Sequence, residues 1–495
     1  MSKPGSDTPA ANGAAAADNF AEIERFVQGE MAAQRIPGLA LGIVEGDRVV
    51  YVRGFGTADG SGREVTPKTP FIIGSVSKSV TALAVMQLVE ANKIELDAPV
   101  QRYLPWFRVA DEKASAQITV RHLLNHTSGL STKTGRSFQG DDDTSDAALE
   151  RAVRKLKSAE LTAPVGSKHQ YSTVNYSVLG LIVQTVAGLS YERYVQTRIF
   201  DPLEMRGSYT SEVAAEPRGL ATGHNYWFGR PRAADLAYNR GLLPAGYLIS
   251  SAEDMTHYLV SQLNGGRYRG TSVLSADGIG ELHRPAVQTP EDGTSYAMGW
   301  FVGPVNDIPA IHHQGETFNF HANVVLVPQS RRGVVALINA ENSLDLFVVG
   351  RMGTIADGVT SLVEAREPPS PPSNVPIFIV YAALFALLVL QARGIAVSAV
   401  ELRSGNIRRG RIGPWWRIGL SVLLSLVWAL VVLVLEPKQL GLPLSVVASG
   451  FPDLAYLLVA SAVVAVAWAV VKSVWTSKLL RRLPAGESAP ISVAS

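Results

Sequence analysis

Apolar residues recur at helical spacing between positions 20 and 34, which predicts an amphipathic helix. Residues 39–44 and 48–54 then read as two short strands, joined by the hairpin signal Glu45-Gly46-Asp47. Helical spacing returns over residues 75–91, with Val80, Leu83, Ala84 and Leu88 on one face. The middle of the chain, to about Val260, is loop-rich with several helices. Strand patterns reappear at 297–302, 323–327 and 333–338, and a last helical pattern covers 344–363. Strands at both ends with a helical middle predict one sheet assembled from the two ends, a helical insertion beside it, and a cleft between them.

Beyond this region the polar positions almost vanish. Residues 375–390, 418–435 and 454–471 form three apolar runs, each close to the roughly 20 residues that cross a bilayer. Trp415, Trp416, Tyr456 and Trp475 stand where interfacial aromatics belong. Three spans are therefore expected. Arg393, Arg403, Arg408, Arg409, Arg411 and Arg417 lie between the first two runs, and Lys472, Lys478, Arg481 and Arg482 follow the third. The loop between the second and third runs holds only Glu436, Lys438 and Asp453. Basic residues stay on the cytoplasmic side, so the part before Val375 is expected to be extracytoplasmic, in a multi-pass protein of the cell membrane. Residues 1–18 lack bulky side chains and read as a disordered tail with no apolar signal-peptide core. Export is then expected to begin at an upstream start or with the first span. The run Glu367-Pro-Pro-Ser-Pro-Pro-Ser is a semi-rigid spacer. The expected organisation is a tail at 1–18, a globular domain at 19–365, a linker at 366–374, a membrane region at 375–484, and a tail at 485–495.

Composition narrows the function. The 495 residues carry 45 basic and 43 acidic side chains, a net charge of +2, which argues against a nucleic-acid binder. The 18% charged share, against about 25% in ordinary domains, excludes a charged coiled coil and a disordered protein. There is no cysteine, so disulfides, thiolate catalysis and Cys-ligated zinc are excluded. That absence also fits an exported chain.

Ser75-Val76-Ser77-Lys78 stands at a helix start. Residues three apart share a helix face, so Lys78 can reach the Ser75 hydroxyl. Serine is a poor nucleophile until a base takes its proton, and a desolvated lysine can be that base. The helix N-terminus adds N–H groups for a developing oxyanion. Downstream come His122-Leu-Leu-Asn-His126-Thr-Ser-Gly129-Leu130, then Tyr171-Ser172-Thr173-Val174-Asn175, then His313-Gln314-Gly315 before a strand.

In this order and spacing the chain resembles the serine beta-lactamase and penicillin-binding family, in the branch of class C beta-lactamases, DD-peptidases and esterases. Ile36-Pro37-Gly38, Gly54-Phe55-Gly56, residues 246–251 and Gly299-Trp300 add to the resemblance, which covers roughly residues 19–363. It implies an α/β fold with an antiparallel sheet, flanking helices and a helical insertion. It also implies acyl transfer through a serine ester at Ser75. Lys78 and Tyr171 would share the proton work, the phenol being acidified by the neighbouring ammonium. The backbone N–H groups of Ser75 and Glu316 would form the oxyanion hole. His313 stands where many relatives carry the lysine of Lys-Thr-Gly, followed here by Gly315, and would donate a hydrogen bond or, protonated, a charge. Thr173 replaces an asparagine that normally contacts the acyl side chain, which points away from efficient beta-lactam turnover. A literal Lys133-Thr134-Gly135 precedes Tyr171 and is expected to be an exposed, irregular decoy.

No cofactor or metal is implied. His122/His126 and His312/His313/His321 cluster without a His-Glu-x-x-His pattern, and Asp141 to Asp143 lack calcium-loop spacing. The expected partners are a small-molecule or peptide substrate with an amide or ester bond and the lipid bilayer. Two other classes remain open: a non-catalytic binding or sensor protein signalling through its spans, and an assembly scaffold.

Overall fold

The computed structural model describes residues 9–291, 293–344, 350–404, 415–435, 438–439 and 441–482. Residues 1–8, the tail at 485–495, Arg408, Arg409, Arg411 and Glu436 lie outside them.

The hairpin forms as expected, with β1 (Gly38–Glu45) and β2 (Arg48–Gly56) paired antiparallel. Six more strands come from the far end of the domain: β3 (Val287–Gln288), β4 (Ser295–Ala297), β5 (Trp300–Val305), β6 (Ile308–Glu316), β7 (His321–Val327) and β8 (Arg332–Ile338). The sheet order is β2-β1-β8-β7-β6-β5-β4-β3, antiparallel throughout. Both chain ends thus meet in one sheet at the β1–β8 seam, where Leu39 faces Ile338.

Side chains alternate across each strand, so the sheet has two packed faces. Leu39, Leu41, Ile43, Val334, Ala336 and Ile338 share a core with helix α1 (Pro9–Gln34) and helix α5 (Thr354–Val363). Ala40, Val44, Val324, Leu326, Val335 and Leu337 belong to the larger core on the opposite face. That core holds α2 (Ser77–Glu90), α3 (Val174–Ala187) and α4 (Ala252–Leu263). Each fully buried aliphatic side chain contributes about 1.5–3 kcal/mol. Most of the second half of α1, through Ile23, Val27 and Met31, is therefore held by packing rather than propensity.

Two differences from the sequence reading have simple causes. His313, Gln314 and Gly315 lie within strand β6 rather than before a strand. The pattern over residues 344–363 is not one described helix: a helix covers Thr354–Val363, Gly350 adopts φ +71° ahead of it, and 345–349 lie outside the described residues.

Contacts divide the chain into two units. The first is Met1–Ser373 together with Gly441–Phe451, the second Asn374–Leu440 with Pro452–Ser495. In the second unit, α6 (Val375–Ser404) and α9 (Pro452–Arg482) contain apolar stretches of 23 and 24 residues, long enough to cross a membrane. The middle run forms α7 (Trp415–Leu430), whose described apolar part with its continuation is shorter, Val422–Leu435. Ala429 and Val432 pack against Ala462 of α9, and the Trp428 indole N–H donates to Ser461 Oγ at 2.9 Å.

Candidate active site

A tight 3-10 turn, Gly74–Val76, leads into α2. Gly74 adopts φ +50°, in the region that favours glycine, and a Cβ there would stand 2.3 Å from the Glu316 amide nitrogen. Gly315 is constrained from the other side: its Cβ would lie 2.0 Å from Ile73 O and 3.0 Å from Ser75 N. The end of β6 therefore runs against the turn so closely that the Ser75 and Glu316 amide nitrogens are neighbours.

The α2 helix is apolar almost all round and lies inside the domain, so its polar side chains must find partners within the protein. Thr81 Oγ1 meets Pro244 O and the Tyr191 hydroxyl, both at 2.6 Å, and the Leu248 amide donates to Ser77 Oγ at 3.1 Å. These bonds tether residues 244–248 along the helix. They place the Ala245 carbonyl, which accepts from Lys78 Nζ at 2.6 Å. Lys78 Nζ also donates to Ser75 Oγ at 2.9 Å.

Lys78 is wholly buried. Burial pushes its ammonium down to about 7, while the Glu316 carboxylate partly restores it. Two hydrogen bonds, each worth about 1 kcal/mol net, do not offset a desolvation of several kcal/mol for a cation. The neutral amine, the form a base requires, is thus well populated near neutral pH.

Tyr171 is carried by a loop fixed on both sides. Thr132 Oγ1 donates to its carbonyl at 2.6 Å, and the next amide, Ser172 N–H, donates to His126 Nδ1 at 3.2 Å. The phenol hydrogen-bonds Ser75, and Lys78 Nζ stands 4.9 Å from the ring centre. Burial, with some help from Glu316, raises the phenol above its ordinary value. The expected acidification by the ammonium is therefore corrected: desolvation outweighs the neighbour, and the group is held as a neutral hydroxyl.

His313 is likewise corrected as a charge donor. It is buried, and burial together with the Lys78 charge pushes it down to about 3. Its Nδ1–H donates to Gln314 O at 2.6 Å, and Nε2 lies 3.4 Å from the Tyr296 hydroxyl. It enters the site as a neutral ring, 6.3 Å from Tyr171 between centroids.

Thr173, Ser75 and Glu316 line one cavity of about 130 Å³, with Arg136, Tyr247 and Phe318. Burial and the nearby Glu341 carboxylate raise the Glu316 carboxyl, against the pull of His321 and Lys78. Lys133-Thr134-Gly135 is neither irregular nor detached. It forms a short helix, Thr132–Arg136, capped by Ser131, and Gly135 is buried so close to the next motif that a Cβ there would stand 2.8 Å from the Thr173 amide nitrogen.

Sequence reasoning missed the Ala245 carbonyl, which carries no side-chain signal. It also missed the bracing of the Tyr171 loop. Asn175 Nδ2 donates to His126 Nδ1 at 3.0 Å, and Ser128 Oγ donates to Asn175 Oδ1 at 2.8 Å. The short spacing His126-x-Ser128 and Tyr171-x-x-x-Asn175 held that information. His122, the other member of its pair, caps a helix start with Thr119, and His321 Nδ1 bonds Glu341 at 2.9 Å.

The family model described as Beta-lactamase matches residues 23–353. Protein flp of Staphylococcus aureus (strain COL) is 26% identical over 341 residues, 68% of this chain and 66% of that protein, so the match spans just under two thirds of that relative. Penicillin-binding protein 4 of Amycolatopsis lactamdurans is 30% identical over 312 residues, 61% of this chain and 80% of the relative. An octameric penicillin-binding protein homologue from Pyrococcus abyssi superposes with TM-score 0.61 at 26% identity, over 71% of this chain and 79% of its own. EstCE1, a hydrolase with promiscuous acyltransferase activity, shares the fold with TM-score 0.60 at 23% identity, over 70% of this chain and 99% of its own. With the family model matched over two thirds of its length, its antiparallel sheet and a buried Lys78 bonded to Ser75, the chain belongs to the serine beta-lactamase and penicillin-binding family.

Proposed function

We propose that the chain is a membrane-anchored serine hydrolase that cleaves an ester or amide through an acyl-enzyme on Ser75. The 2.9 Å bond from a wholly buried Lys78 to Ser75 Oγ carries the reading. Neutral Lys78 takes the hydroxyl proton as Ser75 Oγ attacks the carbonyl. The adjacent Ser75 and Glu316 N–H groups receive the oxyanion. Tyr171, kept protonated by burial, passes its proton to the leaving group and is refilled from Lys78. Water then attacks the ester by the same route in reverse. Neutral His313 contributes a wall and a hydrogen bond rather than a charge, and Thr173 in place of an amide favours esters over beta-lactams.

An extracytoplasmic catalytic unit is supported by the basic residues of the 391–417 stretch, and the chain path is compatible with it. The chain leaves the first unit after Ser373 and re-enters it at Gly441, so the intervening residues cross any bilayer an even number of times. Two crossings would satisfy this, the first by α6 and the second by the whole apolar run 418–435, α7 with its continuation, with the basic 391–417 stretch inside.

The test is labelling with a fluorescent penicillin and with a fluorophosphonate, in wild type and Ser75→Ala. Attachment of the phosphonate alone, lost in Ser75→Ala, indicates an esterase; attachment of both indicates a peptidase or lactamase. If neither reagent attaches to the wild type, the hydrolase reading falls. A reporter fused after Glu367 is expected to be active only outside the cytoplasm; activity inside overturns the orientation.

A further inference from the structure

Gly441–Phe451 belongs to the same unit as Ser75 although more than 360 residues separate them. It contains the short helix α8 (Leu444–Gly450). The stretch is firmly seated. Asn225 Nδ2 donates to Ser449 O at 2.8 Å, and the Phe451 ring meets Phe318 edge-on at 5.9 Å. A Cβ on Gly450 would stand 2.4 Å from the Phe318 ring, so the backbone itself lies against that side chain. Leu442, Val446 and Val447 are buried.

Leu442 completes the wall of the cavity that opens on Ser75. Val446 lines a second cavity of about 210 Å³. The two share Tyr247, Thr317 and Phe318, so they adjoin. Arg136 and Glu316 make the Ser75 end polar, while Phe318, Tyr247, Leu442 and Val446 supply apolar surface further out. Tyr171 is not part of either wall. A leaving group must face Tyr171 to collect its proton, so the lined space is on the acyl side of the scissile bond.

We infer that Leu442 and Val446 build the acyl subsite of the Ser75 centre, and that the substrate is an ester carrying an apolar acyl chain of several carbons. This rests on the serine-ester reading above and adds which substrates it takes. The chain runs from Ser75 past Phe318 and Tyr247 to the α8 face. Subsites of this kind discriminate by contact area, at roughly 10–200-fold per methylene at most.

The test uses the full chain in detergent micelles with p-nitrophenyl acetate and octanoate. Wild type is expected to prefer octanoate in kcat/KM. Leu442→Ser and the milder Val446→Ala are expected to lower the octanoate-to-acetate ratio, by about tenfold and threefold respectively, with the thermal midpoint reporting folding. Leu442→Trp, which fills the space, is expected to lower it as well. An unchanged ratio in the folded variants, with Ser75 still labelled by fluorophosphonate, overturns the subsite and leaves the hydrolase standing. Hydrolysis of both esters that survives Ser75→Ala overturns the hydrolase reading itself.

Discussion

The two sides of Ser75 are built by opposite means. On one side Lys78, Tyr171 and His313 are buried polar groups whose states follow from desolvation, and each is fixed by named hydrogen bonds. On the other side Phe318, Tyr247, Leu442 and Val446 form a largely apolar surface held by packing. In the proposed reaction the first side would handle protons, nearly the same task for any acyl substrate, and the second would meet the variable part of the substrate. The difference teaches where change is tolerated: the proton side fails when one group moves, the wall shifts preference by degrees.

The largest effects should break the proton side. Ser75→Ala is expected to lower kcat for ester hydrolysis by at least about 10³-fold, read by steady-state assay. Lys78→Met is expected to cost about 10²–10⁴-fold, while raising the thermal midpoint at pH 6 by roughly 2–4 °C. The sign follows from linkage. The folded Lys78 binds its proton less tightly than the unfolded chain, whose lysine titrates near 10.5. Its destabilisation is full below about pH 7 and disappears as pH rises toward 10.5, so the midpoint gain should shrink over that window.

A smaller effect sharpens the electrostatic part of the contrast. Turnover of wild type should rise with pH through about 7 as Lys78 loses its proton. Glu316→Gln removes the carboxylate that raises Lys78, so the acidic limb of kcat/KM should move to lower pH, by up to about one pH unit. An unmoved limb would separate Glu316 from the base. The smallest effect concerns the border between the two sides: Thr173→Asn should raise penicillin acylation relative to ester turnover a few-fold, measured as a ratio of second-order rates.

Much of the proton side was legible because helix geometry makes Ser75 and Lys78 neighbours whatever surrounds them. The sheet was legible for a similar reason, since short, nearly continuous apolar runs at 39–44, 323–327 and 333–338 reflect strands packed on both faces. The protonation states were not. Tyr171 and His313 depend on how much water reaches them, which is a property of the folded interior and not of spacing. The Lys133-Thr134-Gly135 helix misled for a related reason: its glycine and polar residues read as loop, whereas Ser131 caps it and Gly135 fits against Thr173. The α8 wall had no signal at all, because its residues read as an interval between two apolar runs.

The return of the chain at Gly441 has a practical consequence. Cutting the gene at the Pro-rich spacer, the obvious way to obtain a tractable fragment, would discard Leu442, Val446 and Phe451 while keeping every residue of the proton relay. Such a fragment could still react with small generic reagents, yet an inhibitor screen run on it would select compounds against a pocket whose outer half the intact protein does not leave open.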